Sequence, residues 1–409
     1  MATDELAVWL YGNLVAVIER ERGRLRLTYT ETALSRYELG TPLLSLSLPL
    51  RPERFAQGTV RAFLDGLLPE GESRRVIARR VGASADDTFG LIRALGRDCA
   101  GAVVIQPGAD PPPPPATTTT AAPLEPEEID SLVRELRSTP LGVGGRVRIS
   151  LAGVQDKLVL TKMPNGDWGR PVDGTPSTHI LKPEIAAYPL TVANEAFCMR
   201  VAKHIGLDVA DVETTEIAGR KLIVVERYDR RIGPDGSVHR IHQEDFCQAA
   251  GLPPELKYEE HGGSSFARLA QILVDVGQPD SLDRLLGAVF INSLIGNGDA
   301  HAKNYSLLHE DSGRLRLSPL YDLVSTSYYG DNRLAMFIDN VQRTDRVSAP
   351  RMVNEGIRWG MARRRATGII DDLLGRAPAA LDAALDETMG VPSELVALMD
   401  QQLVRLRSE

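Results

Sequence analysis

The run Ala109 to Asp130, reading ADPPPPPATTTTAAPLEPEEID, most restricts how this chain can fold. Five consecutive prolines remove backbone donors and hold φ near the polyproline value, so neither a helix interior nor a central strand passes through them. Almost nothing in the run can be buried. It therefore predicts a semi-stiff or disordered spacer, or a ligand for a proline-binding module. As a spacer it divides the chain into residues 1–108, a linker at 109–125, and a larger part that subdivides into 126–235 and 236–409.

Before the linker, Ala7 to Tyr11, Leu14 to Ile18 and Leu25 to Tyr29 are β-prone, and Gly12-Asn13 and Arg22-Gly23-Arg24 separate them. This predicts a small antiparallel sheet. Helical spacing follows at Val60 to Leu68, Glu72 to Val81 and Asp87 to Leu95, with Asp86 or Asp87 placed as a cap, and Ala102 to Ile105 closes as a strand. After the linker, helices are expected at Pro126 to Leu136, Thr191 to His204, Gln243 to Ala250, Ser265 to Val276 and Ser281 to Ile295. Strands are expected around Leu158, Ile180, Leu222 to Val225, Tyr305 to Leu308 and Leu315 to Leu317. From Pro350 onward, leucines and isoleucines at helical spacing predict a helical bundle. The fold class is α+β.

Forty-seven Lys and Arg against fifty-five Asp and Glu leave a net charge of −8. Sequence-independent adhesion to nucleic acid or anionic lipid is therefore not the expected mode of action. Cys99, Cys198 and Cys247 lie far apart, with no zinc-knuckle spacing and no disulfide framework. Asp4 and Glu5 interrupt the N-terminus, so no targeting segment is expected there. The most apolar stretch, Leu285 to Ile295, is too short to span a bilayer. A cytoplasmic protein without membrane partners is the expectation.

Chemistry concentrates in Gly296-Asn297-Gly298-Asp299-Ala300-His301-Ala302-Lys303-Asn304, between a buried helix and a hairpin. Asp299 and Asn304 have the spacing of a protein-kinase catalytic loop, in which the Asp orients the attacking hydroxyl and the Asn ligates magnesium. A turn in which both satisfy their own backbone has the same spacing. Asp322, in Leu320-Tyr321-Asp322-Leu323 after the hairpin, adds a second hard oxygen ligand suited to Mg²⁺, or else caps the next segment. Lys182 ends the apolar run His179-Ile180-Leu181, where it can neutralise nucleotide phosphate or simply snorkel to solvent. Glu195 on the following helix is placed to pair with Lys182 or to face solvent. Ser150 to Lys157 follows a glycine-rich stretch. It is neither a Walker A motif nor G-x-G-x-x-G, but Ala152 and Gly153 would let backbone N–H groups approach an anion, or make a plain turn. Glu226-Arg227-Tyr228-Asp229 ends a β run, either where backbone groups at a kinase hinge would meet adenine or simply as a charged strand end. Asp299, His301, His309 and Asp322 could instead serve a metal-dependent phosphohydrolase.

Taken in order, these segments resemble the HipA serine/threonine kinases, toxin components of bacterial toxin–antitoxin pairs. The resemblance also covers Gly66-Leu67-Leu68-Pro69-Glu70, Leu91 to Ala102, Gln243 to Gln248 and Ser318 to Asp322, nearly the whole chain. It implies a two-lobed protein-kinase-like fold with a β-rich N-terminal lobe and an all-helical C-terminal lobe. It makes Asp299 the catalytic base and Asn304 and Asp322 the Mg²⁺ ligands. ATP would be bound by Ala152, Gly153, Val154, Gln155, Asp156, Lys157, Lys182, Glu226, Tyr228, His301 and Lys303, with Tyr228 standing where the family often has Phe.

Ser150 matches the autophosphorylated serine, whose modification expels the phosphate-binding loop and silences the kinase. An aminoacyl-tRNA synthetase is the implied substrate. A HipB-like helix-turn-helix antitoxin is the implied partner and would carry the operator-DNA contacts. A catalytically weak member acting as an antitoxin-binding co-repressor is the other reading of the same resemblance. The chain departs from the family pattern in its Pro/Thr linker and in Gly296-Asn297-Gly298.

Overall fold

A computed structural model describes residues 4–141, 143, 147–152, 155–310 and 313–407. The chain is α+β and divides into two compact units. One holds residues up to Lys182 with Glu216–Arg220 and Glu226–Pro254, and the other holds Pro183–Thr215, Lys221–Val225 and Glu255 onward.

The first unit opens with a four-stranded antiparallel sheet in the order Arg24–Tyr29, Asn13–Glu21, Asp4–Leu10, Val103–Pro107. Its two tight turns are Tyr11-Gly12, one residue before the expected Gly12-Asn13, and Arg22-Gly23, within the expected Arg22-Gly23-Arg24. All four turn residues have positive φ, between 49° and 79°. That is the type I′ geometry whose twist matches the flanking strands. Alternation along Arg24–Tyr29 sends Leu25, Leu27 and Tyr29 into the core. Helices Gln57–Leu67, Gly71–Arg80 and Thr88–Leu95 complete that core. Asp87 caps the last of them by accepting from Gly90 N at 3.0 Å.

The proline-rich connection is not a free spacer. Gln106 Nε2 donates to Pro111 O at 2.6 Å, Val238 N to Ala116 O at 2.9 Å, and Thr118 N to Gly236 O at 2.8 Å. Ala122–Pro123 then pairs along Trp168–Arg170, at the edge of a run of antiparallel strands that continues through Leu158–Lys162 to His179–Pro183. An edge position suits proline, which has no donor to lose. The threonines supply the hydrogen bonds that the prolines lack.

In the second unit, helix Arg363–Glu387 packs on both Thr191–His204 and Ser281–Leu294, with Ala349–Arg358 and Ser393–Arg407 against Arg363–Glu387 and Ser281–Leu294. The C-terminal part is not helical throughout. It also carries the hairpins Ser306–His309/Leu315–Leu317 and Arg333–Ile338/Val341–Arg343. The second hairpin turns at Asp339-Asn340, both left-handed, a local signal that the leucine spacing elsewhere obscures.

The helix expected over Gln243 to Ala250 begins later. His242–Asp245 is a strand, and Phe246–Ala249 forms one helical turn. Asp245 accepts from Gln248 N at 2.9 Å while Gln248 Oε1 accepts from Asp245 N at 3.0 Å, a reciprocal cap that fixes the helix start. Among the described residues, no helix is long and apolar enough to cross a membrane.

Candidate active site

The loop carrying Asp299 leaves the buried helix Ser281–Leu294 through Gly296, whose φ of +67° ends the helix. Asn297 then turns inward. Its backbone N donates to Asn292 O at 2.8 Å, its Nδ2 to Asn292 Oδ1 at 2.8 Å, and its Oδ1 accepts from Asp299 N at 3.1 Å. Asn292 is held in turn by Tyr305 OH at 3.1 Å. Gly298 runs against the Arg333–Ile338 strand, where Ala335 N donates to Gly298 O at 2.7 Å. A Cβ there would lie 2.2 Å from Arg333 O. The segment Gly296-Asn297-Gly298 is thus the mount that aims Asp299.

Tyr258 OH donates to Asp299 Oδ1 at 2.9 Å, and among the described residues no hydrogen bond to Oδ2 is seen. The Tyr258 ring also meets His301 edge-on at 5.4 Å. Asp299 is exposed as a residue, yet the protein around its carboxyl withholds enough water that desolvation raises it above the ordinary range. The Tyr258 hydrogen bond and the Lys257 charge oppose that rise, and Asp322 and Asp331 add to it. Neither Lys257 nor Tyr258 stood out in the sequence, because they lie some forty positions upstream in a segment of short 3₁₀ turns with no periodicity.

Asn304 and Asp322 are brought together: Asn304 Nδ2 donates to Asp322 Oδ2 at 3.2 Å. Asp322 has a φ of +60°, which a non-glycine residue adopts only when its surroundings hold it there. Those surroundings are visible. Leu320 pairs in parallel with Val209, and Tyr321 OH donates to Lys303 O at 2.7 Å and meets Ser306 Oγ at 2.8 Å. Asn304 Oδ1 is buried with no hydrogen-bond partner among the described residues. A buried amide oxygen of that kind, beside a carboxylate, suits a hard divalent cation that takes one or two protein ligands. Among the described residues, no cluster of three or more His, Cys, Asp or Glu is arranged to hold a metal. The phosphohydrolase set of Asp299, His301, His309 and Asp322 is therefore not assembled.

In the first unit, Lys157 Nζ donates to Ala152 O at 2.8 Å and closes the expected phosphate-binding loop on itself. Gln155 and Asp156 are half-buried, and Gly153 and Val154 lie outside the described residues. Lys182 is buried at the end of its strand. Glu226 is exposed, Arg227 buried and Tyr228 half-buried, with Tyr228 OH donating to Gln243 Oε1 at 2.5 Å. Ser150 is wholly buried: its Oγ donates to Leu67 O at 2.7 Å and its N to Asp98 O at 3.0 Å. In the second unit, Lys303 is buried, His301 is half-buried, and Glu195 is buried rather than solvated.

The family model of a HipA-like C-terminal domain matches residues 149–381, and that of a HipA N-terminal domain matches residues 6–106. The chain belongs to the HipA family. It is 41% identical over 383 residues to a putative kinase of Sinorhizobium fredii, covering 91% of this chain and 90% of that one. It is 37% identical over 316 residues to the serine/threonine-protein kinase toxin HipA of Shewanella oneidensis, covering 71% and 70%. The solved complex of Shewanella oneidensis HipA with HipB and operator DNA superposes with a TM-score of 0.83 at 28% identity, over 98% of this chain and 95% of that HipA.

The HipA family segments that carried no evident chemistry in the sequence prove to be packing partners. Gly66 stands where a Cβ would lie 2.5 Å from Gln248 Cγ, and Gln248 Nε2 donates to Phe63 O at 2.9 Å. Glu244 accepts from Ser45 Oγ and Leu46 N at 2.5 and 3.0 Å.

Proposed function

We propose that this HipA-family chain is an ATP- and magnesium-dependent serine/threonine protein kinase that acts as a toxin. The observation that carries the reading is the Asn304–Asp322 pair, whose buried amide oxygen has no hydrogen-bond partner among the described residues, set in the same loop system as a carboxylate that Tyr258 holds through Oδ1.

In this reading Asp299 Oδ2 accepts the hydrogen bond of the substrate hydroxyl and orients it for attack, while Tyr258 fixes the carboxyl's rotation. Asn304 and Asp322 hold Mg²⁺, which when bound neutralises charge on the phosphates. Lys182 and the backbone of Ala152 to Lys157 take the α- and β-phosphates. Glu226 and Tyr228 flank the adenine, and His301 and Lys303 contact phosphate from the catalytic loop.

Ser150 is the site of self-phosphorylation. Its hydroxyl has no solvent exposure, so the segment must leave its seat on Leu67 before it can be modified. A phosphate carrying nearly two charges cannot return to that seat, which makes the modification a switch. An aminoacyl-tRNA synthetase is the proposed foreign substrate, with inhibited translation as the outcome. A HipB-like antitoxin is the proposed partner. Operator contacts through a basic partner fit a chain with a net charge of −8.

Calorimetry with ATP and Mg²⁺ tests the reading. The wild type is expected to bind ATP more tightly with Mg²⁺ than without, and Asn304→Ala and Asp322→Ala should each lose that increment. No ATP–Mg²⁺ binding by the wild type would overturn the kinase reading in favour of the antitoxin-binding co-repressor.

A further inference from the structure

Around Asp98, five charged side chains are buried together, and the phosphotransfer proposed above uses none of them. They are Asp98, Arg227, Asp229, Arg230 and Arg240, each at most 8% exposed. Asp98 Oδ2 accepts from Ser177 N at 2.9 Å and Ser177 Oγ at 2.6 Å, and Asp98 Oδ1 lies 3.0 Å from Arg230 Nη2 and 3.4 Å from Arg240 Nη2. Arg227 spends its whole guanidinium inward. Nε donates to Asp229 Oδ1 at 3.0 Å, Nη1 to Ser177 Oγ at 2.7 Å, and Nη2 to Cys99 O at 3.0 Å and Asp229 Oδ2 at 2.8 Å.

Burial by itself would raise the Asp98 carboxyl, and Arg230, Arg227 and Arg240 together with Ser177 more than offset it, so the carboxyl stays ionised. Three guanidiniums against two carboxylates leave one positive charge in excess in a buried cluster. Well-packed apolar side chains would stabilise the fold as well or better. What an apolar cluster would not supply is orientation. A guanidinium fork bound on three sides fixes the rotation of the chain that carries it.

That chain is the segment from Glu226 to Tyr228. Glu226 is the last residue of its strand, and Tyr228 lies in the turn that follows, closed by Arg230 N donating to Arg227 O at 3.0 Å. With Arg227 locked inward, Glu226 is exposed and Tyr228 half-buried, its hydroxyl braced on Gln243. The lock itself comes from the loop Arg97 to Gly101, within the part matched as the HipA N-terminal domain. Cys99 O and Gly101 O accept from Arg230 at 2.8 Å each, and Gly101 N donates to Asp229 Oδ2 at 2.7 Å. The loop is wedged: a Cβ on Gly101 would lie 2.7 Å from Gln243 N.

We propose that Asp98 is a positioning residue for nucleotide recognition: through Ser177 and Arg227 it sets where Glu226 and Tyr228 stand, making the N-terminal domain part of the adenine-binding apparatus. This rests on the assignment of Glu226 and Tyr228 to the adenine.

The test compares binding of ATP and of inorganic tripolyphosphate, both with Mg²⁺, by the full chain. Asp98→Asn is expected to weaken ATP about tenfold, equivalent to ~1.4 kcal/mol, and tripolyphosphate by less than about twofold. A purely structural role would weaken both together or neither, and either result overturns the proposal. Should Asp98→Asn not fold, the double variant Asp98→Asn/Arg240→Gln, which keeps a single excess charge, carries the same expectation. Tyr228→Ala separates the two layers of inference. If it leaves ATP affinity unchanged, the adenine assignment fails and the proposal with it. If it weakens ATP while the Asp98 variants do not, only the positioning role fails.

Discussion

Asp299 accepts a hydrogen bond from Tyr258 on Oδ1, and burial withholds water from its carboxyl. Its carboxyl lies above the ordinary range, chiefly through burial, and the Tyr258 hydrogen bond works against that rise. If phosphotransfer needs the carboxylate form, the acidic limb of kcat/KM reports this group in the free enzyme. The limb should sit at higher pH than an ordinary aspartate would give. Tyr258→Phe removes an interaction that lowers the value, so the limb should move further towards neutral pH, and the rate at the plateau should fall as the carboxyl loses its fixed rotation. A pH–rate profile of both proteins measures this; a limb unmoved or moved to lower pH would show that Tyr258 does not act on Asp299. The spacing of Asp299, Asn304 and Asp322 is legible in the sequence because loop and hairpin are local. Lys257 and Tyr258 are not legible, because only the packing of the 3₁₀ segment brings them to the loop.

At the scale of elements, the loop carrying Asp299 stands between a helix end and a strand, and two glycines make that possible. Gly296 supplies a left-handed residue, and Gly298 lets the loop backbone lie against Arg333–Ile338. Gly298→Ala must push a methyl group towards Arg333 O, and the displaced loop should cost about 1–3 kcal/mol of stability, as forced overpacking does. Denaturant unfolding measures it, and an unchanged midpoint would mean that the loop is not seated on that strand. The sequence marks these glycines only as a departure from the family pattern. Their purpose depends on a strand some thirty-five residues downstream, which leucine spacing does not reveal.

The buried charge cluster is likewise silent in the sequence, where Asp98 and Arg227 are 129 positions apart. Its carboxylates are held below the ordinary range, Asp98 and Asp229 alike, their arginine partners offsetting burial. Their contribution to stability is therefore complete above the unfolded-state value, about 3.9, and is lost as pH falls below it towards the folded-state values. Acid unfolding should begin in that window and be shallower in the Asp98→Asn/Arg240→Gln variant. An equally steep loss in both would place the acid-labile groups elsewhere.

For the molecule as a whole, the proline-rich run is a hydrogen-bonded connection that crosses the first unit and ends as an edge strand, and not a tether between independent domains. The reading of it as a spacer rests on proline's missing donors. The structure shows the neighbouring threonines and carbonyls making the contacts that prolines cannot. The acidic balance acquires a specific consequence. The chain by itself should not retard duplex DNA in a gel at physiological salt, whereas a mixture with a basic helix-turn-helix partner should. Retardation by the chain without a partner would mean that a local basic surface suffices.

The central claim is phosphoryl transfer from this site. Quantitative mass spectrometry after incubation with ATP and Mg²⁺ in a cytoplasmic extract reads Ser150 and foreign serines or threonines together. Wild-type protein is expected to gain phosphate on Ser150 and on a protein of the extract, and Asp299→Asn, folded like the wild type, should lose both by about 10²- to 10⁴-fold. Equal phosphate incorporation by Asp299→Asn, or none by the wild type, would contradict the account.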